Sequence, residues 1–267
     1  MTRDTLREAT LRERTPVLVA DDNPVNQKVA VRMLEKLGYQ ADVAANGVEA
    51  LEALSRKEYS AVLMDVQMPR MDGYEATAKI RDREGASRRT PVIAMTANAM
   101  NGERERALRA GMDDYLSKPV KANDLDAILE RWAPAPGEAN VSGDVRNDAP
   151  PDTPLLDRSA LDGLRELSGP GEPDILAELV GLFLEDAPPR LQTLREALAE
   201  GDARRVKEIS HALKGSSSNM GAARMAEICA QLEDVGATGD LNKTSDLLDR
   251  LEKEFAKARS ALEGEVS

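Results

Sequence analysis

The stretches VLVAD (17–21), ADVAA (41–45), AVLMD (61–65), PVIAM (91–95) and DYLS (114–117) are short, apolar and bounded by turn signals. Without alternation, and with helical stretches between them, they read as strands buried on both faces of a parallel sheet. The clearest intervening helix starts at Asn23-Pro24, a capping residue followed by a proline suited to the first helical position. Val25, Val29, Met33 and Leu37 then follow at spacing four, and Gly38 offers a stop. Five strands alternating with five helices predict an α/β, doubly wound parallel sheet. Functional groups in such sheets gather beyond the carboxyl ends of the strands.

Those ends carry chemistry. Strand one ends in Asp21-Asp22, strand three in Asp65, strand four runs into Thr96, and strand five meets Lys118-Pro119. Each residue alone is ordinary: an Asp at a strand end is commonly a cap or turn residue, and Lys-Pro is commonly a loop. Together they bring three carboxylates, a hydroxyl and an amine to one edge. Three carboxylates repel one another, and a Mg²⁺ ion, which prefers oxygen ligands, resolves the repulsion. A lysine ammonium suits a phosphoryl oxygen.

After the first half, residues 134–154 are rich in Pro, Gly, Asp and Asn, without periodicity. They read as a flexible linker, with a root-mean-square span on the order of 25 Å. From Leu155 the apolar residues fall at helical spacings, among them Leu161 and Leu164, Leu176, Leu179 and Phe183, and Ile228 and Leu232. Gly201-Asp202, MGAAR and VGATGD read as breaks, and Pro188-Pro189 as a helix start. Several antiparallel helices with short links predict a bundle. His211, the only histidine in 267 residues, lies in a helix expected over about 203–218. Positions 211, 214, 215 and 218 share a face there, so Gly215 stands one turn from the imidazole. A glycine inside a helix costs about 1 kcal/mol against alanine. One reading is that Gly215 opens access to His211, with Lys214 supplying charge and Ser218 a hydroxyl. The plainer reading is a satisfied histidine beside a packing glycine. Cys229 sits on an apolar stripe and reads as a small buried filler.

The segments VADDNPVNQKVA, VLMDVQMPRMDGYEAT, VIAMTANAM and GMDDYLSKPV resemble the receiver domain of two-component response regulators, in the form found in hybrid sensor kinases. The resemblance implies a flavodoxin-like sheet with Asp65 as phosphoacceptor. Asp21, Asp22, Asp65 and the main-chain carbonyl of Gln67 would hold Mg²⁺. Thr96 and Lys118 would contact phosphoryl oxygens, Tyr115 would move with Thr96, and the Lys118-Pro119 peptide would be cis. Gln67 and Asn98 stand where the family tunes phosphoaspartate hydrolysis. HALKGSSSNMGAARMAEICAQLE resembles the histidine-phosphotransfer (HPt) family. That implies a four-helix bundle with phosphohistidine on His211, Lys214 beside it, and Gly215 and Ser218 giving access.

The expected organisation is an N-terminal tail (1–14), a receiver (15–133), a linker (134–154) and an HPt domain (155–267). The expected function is phosphorelay signalling. An upstream histidine kinase would serve Asp65, and His211 would exchange with a downstream response regulator or another HPt protein. A receiver used only as a phosphorylation-controlled binding module, with the HPt domain serving other partners, is the alternative. No kinase ATP-binding segment is evident. A phosphatase with an aspartate nucleophile normally carries a second acid two residues on, where this chain has Gln67. A net charge of −12 argues against nucleic acid. No apolar run reaches the roughly 18 residues of a membrane span, and the charged start MTRDTLREATLRER is no secretory signal, so a cytoplasmic location is expected.

Overall fold

A computed structural model describes residues 15–84, 89–96, 103–133, 155–168, 174–241 and 244–266. The expected tail and linker, and Asn98, lie outside the described residues.

In the first part, strands β1 (Val17–Ala20), β2 (Ala41–Ala44), β3 (Ala61–Asp65), β4 (Val92–Thr96) and β5 (Asp114–Ser117) form one sheet in the order β2-β1-β3-β4-β5. Every pairing is parallel. Helices α1 (Pro24–Lys36), α2 (Gly47–Arg56), α3 (Gly73–Glu84), α4 (Glu103–Arg109) and α5 (Ala122–Trp132) follow the strands in turn. The apolar runs are continuous because β1, β3 and β4 are covered on both faces, and every residue in them is buried. The β2 run is interrupted by polarity because it is an edge, where Val43 is 51% exposed. The Asn23 side chain accepts from the N–H groups of Val25 and Asn26, capping α1 as its sequence predicts. Gly38 ends that helix with φ of 84°.

In the second part, a short helix α6 (Arg158–Arg165) precedes four longer ones: α7 (Ile175–Glu200), α8 (Ala203–Asn219), α9 (Ala223–Thr238) and α10 (Thr244–Glu265). The expected bundle is these four. Phe183 of α7 meets Phe255 of α10 edge-on, ring centroids 6.1 Å apart, within its core. Gly201 closes α7 in the left-handed conformation, and Asp202 caps α8 by accepting from Arg205 N–H.

Two expectations are corrected here. Pro188-Pro189 does not start a helix: α7 runs through both prolines. Proline's fixed φ is helical, and what it removes is a donor. The apolar stripe of Leu176, Leu179, Val180, Phe183, Ala187, Leu191 and Leu194 is buried on both sides of the pair, and this packing outweighs the local penalty. VGATGD is not all break, since α9 continues to Thr238 and stops at Gly239, with φ of 78°. Gly236 is a close-approach position instead: a Cβ there would lie 2.6 Å from Lys207 N and 2.8 Å from Ala203 O in α8.

Candidate functional sites

The register of the sheet sets the first site. Asp65 pairs with Met95 and Thr96 with Ser117, so Asp65, Thr96 and the residue after β5, Lys118, emerge at the same edge. Asp21-Asp22 follow β1 next to β3. Asp21 and Asp65 are each 1% exposed. The Lys118 Nζ lies 2.7 Å from Asp21 Oδ2 and 2.7 Å from Asp65 Oδ2. Burial alone would depress the Lys118 pKa, but the two carboxylates outweigh it and hold the ammonium protonated above its ordinary range. Asp21, Asp22 and Asp65 each bring one oxygen within 4.8 Å of the others. Three carboxylates this close together are a donor set that fits a hard divalent ion, so the cluster could hold a metal.

The remaining expected groups stand around this cluster. Gln67 N–H donates to Asp65 Oδ1 at 3.3 Å. Thr96 is buried, and its carbonyl accepts from Lys118 N–H at 2.7 Å. Tyr115 is half-buried in β5, with the Arg104 guanidinium 5.7 Å from its ring centroid. The Lys118-Pro119 peptide is cis. Gly73 could not be foreseen from chemistry at the strand ends. A Cβ there would collide with the carbonyl oxygen of Asp65, so this glycine lets α3 start against the end of β3.

The second site is built on α8 and α9. His211 Nδ1 lies 2.8 Å from Glu233 Oε1, and Lys214 Nζ pairs with Glu233 Oε2. Burial pushes the Glu233 carboxyl up, yet its bonds to His211 and Lys214 outweigh this and bring it from 4.5 down to about 2. An ionised carboxylate only accepts hydrogen bonds. When the imidazole is neutral, its proton therefore sits on Nδ1 and its lone pair on Nε2, an assignment made from the bonding partner. Lys214, Gly215 and Ser218 lie on α8 within two turns of His211, as their spacing predicts.

Glu233 was missed by sequence reasoning, because it is 22 residues from His211 and on another helix. One signal was present: an acid beside the buried stripe of Met225, Ile228, Cys229 and Leu232, where an unpartnered charge would be costly. Cys229 itself is fully buried. Burial pushes its thiol pKa up, in keeping with a filler.

Both parts of the chain match known protein families. The description "Response regulator receiver domain" matches residues 17–130, and "Hpt domain" matches residues 178–261. The Sensor protein GacS of Pseudomonas syringae pv. syringae is 33% identical over 84% of this chain and 25% of its own length. The Signal transduction histidine-protein kinase BarA of Shigella flexneri is 31% identical over 92% of this chain and 27% of its own. The chain thus spans about a quarter of these curated relatives. Among solved structures, the receiver domain of the sensor histidine kinase PA1611 from Pseudomonas aeruginosa PAO1, with a magnesium ion in its active-site cleft, is 49% identical. That match covers 45% of this chain and 97% of the other, with a TM-score of 0.42. With one family model matching its first part and another matching its second, the chain belongs to the two-component phosphorelay proteins, as a receiver domain followed by an Hpt domain.

Proposed function

We propose that Asp65 accepts a phosphoryl group from the phosphohistidine of a kinase, and that His211 carries a phosphoryl group to or from a receiver aspartate. The observation that carries this reading is that each domain presents a nucleophile already held by charged partners: Asp65 by Lys118, and His211 by Glu233. In the first step an Asp65 oxygen bonds to phosphorus, the N–P bond of the donor breaks, and its electron pair returns to the donor imidazole. Lys118 and the Thr96 hydroxyl take the equatorial oxygens of the transferring group. Tyr115 moves with Thr96. In the second step the His211 Nε2 lone pair bonds to phosphorus, and the O–P bond of a phosphoaspartate breaks to release its carboxylate. Glu233 holds the Nδ1 proton throughout, so the imidazolium charge that develops is met by an anion. Lys214 faces the arriving phosphoryl group, and Gly215 and Ser218 leave room for it.

Asp21, Asp22, Asp65 and the carbonyl of Gln67 are the residues proposed to hold Mg²⁺. When bound, that ion supplies charge neutralisation for the phosphoryl oxygens. The proposed boundaries are 15–133 for the receiver and 155–267 for the Hpt domain, with 1–14 a tail and 134–154 a linker. The partners are a histidine kinase upstream and a response regulator or Hpt protein downstream. A cytoplasmic location is proposed, supported by the finding that no described helix is long and apolar enough to cross a membrane.

The test loads the purified chain from a small phosphodonor with Mg²⁺, in wild type, Asp65→Ala and His211→Ala. Acyl phosphate is labile to base and phosphohistidine to acid, so the label reports its residue. Base-labile label that disappears in Asp65→Ala is expected. Base-stable label requiring both residues would establish an internal relay. Absence of base-stable label in wild type, even after addition of a phosphorylated receiver, would overturn the role of His211.

A further inference from the structure

The roles proposed for Lys214 and Glu233 conflict unless a third group takes part. At rest both oxygens of the buried Glu233 carboxylate are taken. His211 Nδ1 lies 2.8 Å from Oε1, and Lys214 Nζ pairs with Oε2. When Lys214 turns to a phosphoryl group arriving at His211 Nε2, it leaves Oε2 without its donor. Stranding one member of a buried charge pair is costly. The cost falls in the transition state, where it slows transfer.

Ser210 has an uncommitted donor in the right part of the bundle. It is fully buried, and its Oγ makes no hydrogen bond among the described residues. The other buried serines of α8 differ. Ser216 donates back to the Ala212 and Leu213 carbonyls, and Ser217 to the Leu213 carbonyl at 2.6 Å. That back-bond is the ordinary resting place of a hydroxyl inside a helix, and Ser210 does not make it. Ala203 and Lys207 are the residues of α8 that Gly236 of α9 approaches. Ser210 follows them on the same face, one turn beyond Lys207, so it stands where α8 meets α9. It directly precedes His211 and lies one turn before Lys214, and so borders both groups that hold the carboxylate. We propose that Ser210 is a positioning residue for transfer at His211, its hydroxyl being the reserve donor that takes Glu233 Oε2 when Lys214 leaves for the phosphoryl group. This rests on the roles of His211 and Lys214 proposed above. The motion asked of Ser210 is a change of χ1 rotamer. Glu233 then keeps two donors through the transfer and goes on holding the Nδ1 proton.

The test uses the full chain carrying Asp65→Ala, so that label on His211 cannot arrive from Asp65, with phosphoramidate as the donor. His211 Nε2 bonds to phosphorus, the P–N bond of the protonated donor breaks, and its nitrogen leaves with the electron pair as ammonia. Adding Ser210→Ala should slow the formation of base-stable label about tenfold, the loss of one hydrogen bond to a charged group. Urea denaturation should show no loss of stability, because the hydroxyl is unpartnered at rest. In a Lys214→Met background Glu233 lacks its lysine at rest and in the transition state alike. Ser210 then serves both states, and its removal should change the rate less than about twofold. A packing residue would instead slow transfer equally in both backgrounds. Equal slowing in the two backgrounds, an unchanged rate in Ser210→Ala, or a loss of stability on that substitution would each overturn the role of Ser210 alone. Absence of base-stable label in the starting chain would overturn the reading of His211, and this proposal with it.

Discussion

Glu233 holds the proton of His211 on Nδ1 and at the same time anchors Lys214. Glu233→Ala removes the anion that selects this tautomer, and transfer to His211 should slow by about tenfold to a hundredfold, as when a partner that orients a histidine is lost. Glu233→Gln retains an acceptor and should slow it less; stopped transfer from a phosphorylated receiver measures both. The same carboxyl makes a pH prediction. Its folded value, about 2, lies below its ordinary 4.5. The stability it contributes is therefore present above pH 4.5 and lost as pH falls towards about 2. Acid titration of unfolding should show that loss in wild type, and a flatter profile in Glu233→Gln. A profile unchanged by the substitution would mean that the ion pairs contribute nothing net. The segments around Asp65 and His211 were legible in the sequence because their motifs are local. Glu233 was not, because the bond is made only when α9 packs against α8.

Helices and loops explain where single glycines matter. Gly73 starts α3 against the carbonyl oxygen of Asp65, and Gly236 lets α9 approach Ala203 and Lys207 of α8. Gly73→Ala and Gly236→Ala should each cost about 1–3 kcal/mol, because backbone rather than a flexible side chain must give way. Urea denaturation measures both, and a cost near zero at either site would show that the helix shifts freely. The loop between β3 and α3 presents the converse case. Arg70 is an exposed non-glycine residue with φ of 67°, a conformation that costs an L-residue roughly 1–2 kcal/mol. Arg70→Gly should raise receiver stability by about 0.5–1 kcal/mol, the relief of strain being partly offset by the entropy of the unfolded glycine. Helix α7 marks the limit of local rules. Its two prolines signal a boundary, and a buried stripe spanning both overrides them.

At the scale of the molecule, the proposed Mg²⁺ site predicts that the receiver responds to the ion as a unit. With Mg²⁺ at about a hundred times its dissociation constant, unfolding free energy should rise by about 2.7 kcal/mol. A chelator should reverse the gain and Asp22→Ala should abolish it; a gain surviving Asp22→Ala would place the ion elsewhere. What the sequence determined by itself was the order of five buried strands, the identity of the groups at their ends and the helical character of the second half. Each of these is written in short-range periodicity and in residues next to one another in the chain. The tertiary structure decided which groups meet. Lys118 comes to lie between Asp21 and Asp65 because parallel pairing aligns strand ends far apart in sequence. Glu233 reaches His211 because helix packing sets faces against each other that no spacing within one helix specifies. Periodicity tells a chain which face to bury; only the packed partner determines which charge that face will find.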